Sequence, residues 1–324
     1  MRTELHTSSR AAALLVPLTE RLAAMSAPCP MHPSVHRIEA ALLAWSRGLG
    51  LEVDRGAGVH RLAGRAMARC DTGAATLFAR WLAWLLRFRE ESDAYAGVLA
   101  VAEGCEPGPR TVERAFASLW RESAPGMSEQ WRERFLAHLT SQRAALLDAG
   151  PAARDRAACG PCLFDVVEPC LGVEVPGGLP ADREWRALDE AACDVVAWCD
   201  GLAAREGRTA APSPGGPPGA RGTGARGAGA RGAGARTPRT REAGPPGAET
   251  RGIEGQEVEA WEVERLVARM EELWTAARTV PVLVERHGLG LAAGRDVTRV
   301  ACAFLTVSRA HLERLLEGAG RLPA

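Results

Sequence analysis

Apolar residues recur at three- and four-residue intervals along most of this chain, the spacing that places them on one face of an α-helix. The pattern predicts helices over His36–Leu49, Arg61–Ala68, Ala74–Phe88, Ala94–Ala102 and Arg110–Arg121. It continues over Glu129–Ala149, Leu163–Cys170, Trp185–Ala204, Glu257–Val284 (interrupted by Pro281) and Asp296–Glu317. Breakers separate these segments: Pro33, Asp54-Arg55-Gly56, Asp71-Thr72-Gly73, Pro107-Gly108-Pro109, Pro125-Gly126, Gly150-Pro151 and Pro176-Gly177-Gly178. No alternating, β-branched run bounded by hairpin turns is present. The chain therefore reads as all-α, a single antiparallel bundle of about ten helices with short connections.

One stretch departs from this pattern. From Arg208 to Arg251 the residues are almost wholly Gly, Pro, Ala, Arg, Ser and Thr, with a five-residue repeat starting at Arg221, Arg226 and Arg231. Such side chains bury too little apolar surface to offset the entropy of ordering them. The expected organisation is an N-terminal segment 1–27, partly flexible, and a helical domain over 28–207. A disordered insertion 208–251 follows, then C-terminal helices 252–324 that complete the same domain. The insertion holds eight arginines against Glu242 and Glu249. An Arg-Gly repeat can meet RNA or an acidic surface, but no aromatic residue interleaves it to stack on bases. Nucleic acid is expected only through this insertion.

Composition narrows the class further. The 324 residues are 46% hydrophobic, with 40 acidic and 40 basic residues, and every basic residue is Arg. That apolar fraction supports a core, and the zero net charge argues against a dedicated nucleic-acid binder. No run approaches the roughly 18 to 20 apolar residues that span a bilayer, and Ala11–Val16 is too short for a secretory signal. Nine cysteines scattered through helical segments read as reduced thiols. A cytoplasmic protein is the expectation, with no membrane partner and with a homodimer left open.

Candidate chemistry is sparse. Cys159-Gly160-Pro161-Cys162 lacks the preceding strand of a disulfide oxidoreductase, and no second Cys or His pair stands at zinc-ligand spacing. Trp81-Leu82-Ala83-Trp84-Leu85-Leu86-Arg87-Phe88 is an aromatic helix running into Arg89-Glu90-Glu91-Ser92-Asp93. Carboxylates at the end of an apolar helix can supply a hard-cation site. Arg156 precedes a helix break at Gly160-Pro161. Another long helix then carries Asp194, Trp198, Cys199, Asp200 and Glu206.

In their order and spacing these pieces resemble the bacterial class I terpene synthases. The resemblance runs from about Pro28 to the C-terminus, outside the insertion. His32-Pro33 and Trp45–Leu51 resemble the family's opening segment, and Trp81, Trp84 and the acidic cluster resemble its aromatic helix and aspartate-rich motif. Arg156, Cys159 and Gly160 stand where that family has its diphosphate-sensing arginine, linker and helix-break glycine. Ala192–Asp200 resembles the run into its second metal motif.

The resemblance implies a bundle around a central apolar pocket and Mg²⁺-dependent ionisation and cyclisation of a prenyl diphosphate, with release of diphosphate. It assigns Arg156 and Gly160 to catalysis, Arg156, Phe78, Trp81 and Phe88 to substrate binding, and Glu90, Asp93 and Glu206 to metal. Both metal motifs are degenerate. The family's first carboxylate falls on Arg89, and its Asn, Ser and Glu positions fall on Cys199, Ala203 and Gly207. Glu206, seven residues after Cys199, is about 20° off that face at 100° per residue. The ion number is open. The alternative expectation is a catalytically impaired or inactive relative that acts as a binding or interaction protein.

Overall fold

The structure, a computed structural model, describes residues 28–148, 160–210 and 248–318, with main chain alone at 55, 204–210, 248–260 and 318. Among these residues there are eleven α-helices and no strand: α1 (Val35–Leu49), α2 (Val59–Ala66), α3 (Thr72–Glu90), α4 (Tyr95–Ala102), α5 (Thr111–Ser123), α6 (Glu129–Asp148), α7 (Gly160–Asp165), α8 (Val167–Leu171), α9 (Arg183–Ala210), α10 (Ala248–Arg286) and α11 (Leu291–Gly318).

Local signals set several ends. Asp71 accepts a hydrogen bond from the Ala74 amide at 2.8 Å and starts α3. Gly50 closes α1 at φ 72°, a left-handed position that costs glycine nothing.

The segment expected to form one helix over Leu163–Cys170 is instead two. A proline is tolerated in the first turn, where its missing N–H has no partner to lose. Pro161 is the second residue of α7 and Pro169 the third of α8, so each proline sits at its own helix start. The opposite correction applies to Pro281, which does not interrupt α10. An interior proline costs about 3 kcal/mol. Helix α10 also buries Leu266, Met270, Leu273, Val280 and Leu283. Each such side chain contributes about 1.5–3 kcal/mol, so packing outweighs propensity. The expected insertion limits 208 and 251 likewise fall inside α9 and α10, while 211–247 lies outside the described residues.

Pairings along the helices give their directions. Asp194 meets Arg269, and Glu184 meets Arg286, so α9 and α10 are antiparallel. Asp200 meets His311 far along α11. Arg61 and Arg65 pair with Glu317 and Glu313, and the Thr306 hydroxyl donates to the Ala66 carbonyl at 3.0 Å, so α2 runs against α11. Trp84 donates to the Val112 carbonyl at 2.9 Å and Trp81 to Ser123 at 3.1 Å, which lays α3 against α5. The core is continuous through all these layers.

At the bundle's edge the first and last described segments are tied together. The Glu313 carboxylate is fully buried and accepts from the Cys29 amide at 2.9 Å, from Arg309 at 2.8 Å and from Arg65 at 3.2 Å.

Candidate functional site

The C-terminal end of α3, the later turns of α6 and the first turn of α7 meet at one end of the bundle. Tyr95 and Thr140 share a hydrogen bond of 2.5 Å, and the Arg143 guanidinium lies 4.6 Å from the Tyr95 ring centroid. Gly160 opens α7, and a side chain there would meet Gln142 at 3.6 Å. Through α6, the residues that follow α3 and the helix start at Gly160 thus share a neighbour.

The individual carboxylates face arginines. Glu90, with a side chain 62% exposed, pairs with Arg87 at 3.0 Å, and Glu91 pairs with the same guanidinium at 2.5 Å. Asp93, 70% exposed, pairs with Arg110 at 2.6 Å. The hydrogen bond from Arg110 holds the Asp93 carboxyl below its ordinary range. Among the described residues no group of three or more His, Cys, Asp or Glu is placed to hold a metal ion. Arg156 and Cys159 lie outside the described residues, as does the side chain of Glu206.

The donors do not fit a Mg²⁺ cluster of the kind the resemblance implies, because Mg²⁺ takes oxygen ligands in near-octahedral geometry. Arg89 stands at the first acidic position. Ala203 and Gly207 offer no donor on α9, and Cys199 is 1% exposed. Burial pushes the Cys199 thiol well above its usual range, so it stays a neutral, soft group.

The aromatic residues assigned to substrate are sealed. Phe78, Trp81 and Phe88 have 0% exposure. Trp84 stacks on Phe88 at 4.9 Å, and Trp81 packs edge-on to Phe135 at 5.5 Å and Phe116 at 6.1 Å. Their neighbours across the interior, Leu163, Leu188, Val195 and Val307, are also at 0%. Phe78, Trp81 and Phe88 are therefore packed among other buried side chains of the core. The large cavity, of 1190 Å³, lies elsewhere, along α11 and beside Asp71 at the opposite end of α3 from Glu90.

A polar cluster that sequence reading missed lies between α6, α7, α8 and α9. Asp165 accepts from Arg134 at 3.0 Å and bonds His138 Nδ1 at 2.6 Å. Arg134 also pairs with Glu168, whose second oxygen accepts from the Val175 amide at 2.8 Å. Asp189 adds a third carboxylate nearby. Burial pushes Glu168 up to about 8 despite Arg134, and burial with the neighbouring Asp165 pushes Asp189 up to about 7. For His138, burial works against the charged ring, but the Asp165 hydrogen bond and the charges of Asp165 and Asp189 together outweigh it and the pKa rises. Arg134, His138 and Gln142 recur every fourth residue on α6. That polar row beside the buried Trp131, Phe135 and Leu139 is the signal that could have found the cluster.

No family model and no curated protein sequence matches the chain. Solved structures do. Wild-type cucumene synthase is 21% identical, with 90% of this chain and 98% of that chain covered at a TM-score of 0.62. Hedycaryol synthase in complex with HEPES is 17% identical, with 90% and 96% covered at 0.64. Linalool/nerolidol synthase from Streptomyces clavuligerus, in complex with 2-fluorogeranyl diphosphate, is 19% identical, with 91% and 98% covered at 0.65. The chain has the fold of the class I terpene synthases. No helix among its described residues is long and apolar enough to cross a membrane.

Proposed function

We propose that this chain is a terpene synthase-fold protein that has given up metal-dependent ionisation and acts through binding or interaction. The observation that carries the reading is the electrostatics at the end of α3. Glu90 and Glu91 share Arg87, and Asp93 is held by Arg110. A cation arriving there would have to displace guanidinium groups from every carboxylate. On α9 the second set of positions supplies a buried thiol, a methyl group and a glycine. Stabilising a departing diphosphate requires preorganised positive charge where negative charge develops, and the described residues offer no oxygen-donor cage to hold it. The closed interior around Trp81 and Phe88 supports the same reading, since cyclisation needs a hollow of the substrate's size.

The competing reading is the Mg²⁺-dependent ionisation and cyclisation of a prenyl diphosphate that the resemblance implies, with Arg156 at the diphosphate. The test is incubation of the purified chain with geranyl, farnesyl and geranylgeranyl diphosphates and Mg²⁺, with extraction of hydrocarbon and alcohol products. We expect none, and no Mg²⁺-dependent binding of diphosphate by calorimetry. A Mg²⁺-dependent terpene product from any of the three would overturn the proposal.

A further inference from the structure

The cavity of 1190 Å³ along α11 lies at the end of α3 away from Glu90, and the preceding reading makes no use of it. Its floor is α11, whose Leu291, Arg295, Thr298, Cys302, Leu305 and Arg309 stand three or four residues apart on one face. One wall is apolar, with Met270, Trp274, Pro281 and Val284 of α10 again at helical spacing. The other is formed by Arg65 at the end of α2 and by Met67, Arg69 and Cys70 beyond it. Helix α11 packs on both α10 and α2, so the two walls flank it.

Charge is spread unevenly over this lining. Five arginines line the cavity, against the carboxylates of Asp71 and Glu285. From outside the lining, Glu313 answers Arg65 and Arg309, and Asp296 answers Arg299. Glu317, the second partner of Arg65, is matched by Arg61. Set against Asp71, Glu285, Glu313 and Asp296, the five guanidinium groups leave one positive charge over. Arg69 and Arg295 are exposed and make no ion pair with a described residue.

We propose that this cavity binds a long-chain carboxylate, its hydrocarbon against the α10 wall and its head at the arginine rim. Three observations select that ligand. The volume exceeds the range of about 300–1,000 Å³ usual for small-molecule pockets, which suits an extended chain. The α10 wall offers that chain apolar contact, including a methionine that adapts to its shape. The single positive charge left over matches a monoanionic head, and guanidinium groups take a carboxylate through paired N–H donors. The site stands apart from Glu90 and Asp93, so it is independent of the Mg²⁺ test there.

The cavity contains its own reporter. Cys302 is exposed on the floor, whereas Cys105 is exposed and does not line the cavity. Maleimide labelling of the full chain is followed cysteine by cysteine by mass spectrometry, with sodium dodecanoate kept below its micellar concentration. At about ten times its dissociation constant, dodecanoate should slow Cys302 about tenfold and leave Cys105 unchanged. By calorimetry, affinity should rise roughly tenfold for each two carbons from octanoate to dodecanoate. Arg69→Glu/Arg295→Glu, confined to exposed side chains, should weaken dodecanoate about tenfold at low salt. The comparison of head groups needs no variant: dodecyltrimethylammonium should give no protection. Equal protection by that cation, or tighter binding of dodecyl phosphate than of dodecanoate, would overturn the proposal. So would dodecanoate affinity untouched by the double variant, Cys105 slowing together with Cys302, or binding to phosphatidylglycerol vesicles but not to monomeric dodecanoate.

Discussion

His138 and Asp165 face each other across α6 and α7 at 2.6 Å, and the bond belongs to a cluster with more carboxylates than cations. Stability should therefore depend on pH in a defined direction. Glu168 has a folded pKa raised from 4.5 to about 8, and Asp189 from 3.8 to about 7. Each binds a proton in the fold over a range where the unfolded chain has released it. That contribution is complete below the unfolded value and is lost as pH rises through the folded one. The raised His138 adds in the same sense. The melting temperature should fall by several degrees between about pH 5 and about pH 9. In scanning calorimetry Glu168→Gln should flatten the upper part of this decline and Asp189→Asn the lower part.

Removing the Glu313 carboxylate should be far more damaging than removing an exposed one. Glu313→Ala removes a buried carboxylate partner from Arg65 and Arg309 and leaves the Cys29 amide without this acceptor. Breaking a buried pair from one side costs roughly 3–5 kcal/mol, which urea unfolding followed by circular dichroism would register.

Glu90→Ala and Asp93→Ala form the contrasting case. Both side chains are mostly exposed and paired only with surface arginines. Their loss should leave the urea midpoint nearly unchanged. If Glu90 and Asp93 held Mg²⁺ in solution, the unaltered chain would show a Mg²⁺-dependent rise in melting temperature that these variants abolish. We expect no such rise.

Pro281→Ala should stabilise the chain. Helix α10 passes through the proline uninterrupted, so alanine restores a hydrogen bond and removes a steric conflict. A gain of about 1–3 kcal/mol is expected in urea unfolding.

Helix existence was legible because burial enforces a period, and the periods of α1, α3, α5 and α6 survive into the structure nearly intact. The errors fell where proline has two readings. Pro281 reads as a breaker, yet packing against α9 and α11 holds α10 together. Pro161 reads as a helix break and Pro169 as part of the segment Leu163–Cys170, yet each sits in the first turn of its own helix. The site was less legible for a different reason. The resemblance implied that Glu90 and Asp93 hold metal near Gly160. It could not show that Arg87 and Arg110 would claim the carboxylates, because those pairings depend on side-chain reach. The cluster of Arg134, His138, Asp165, Glu168 and Asp189 joins four helices that no local pattern links.

The knot at Glu313 also bears on synthesis. Its carboxylate is made 284 residues after Cys29 and 248 after Arg65. Helix α2 can pack on α1 and α3 early, and its pairing with α11 is added only after residue 313 has been made. The contact that joins Cys29 and Arg65 to Glu313 is therefore set on a layer that has already begun to pack.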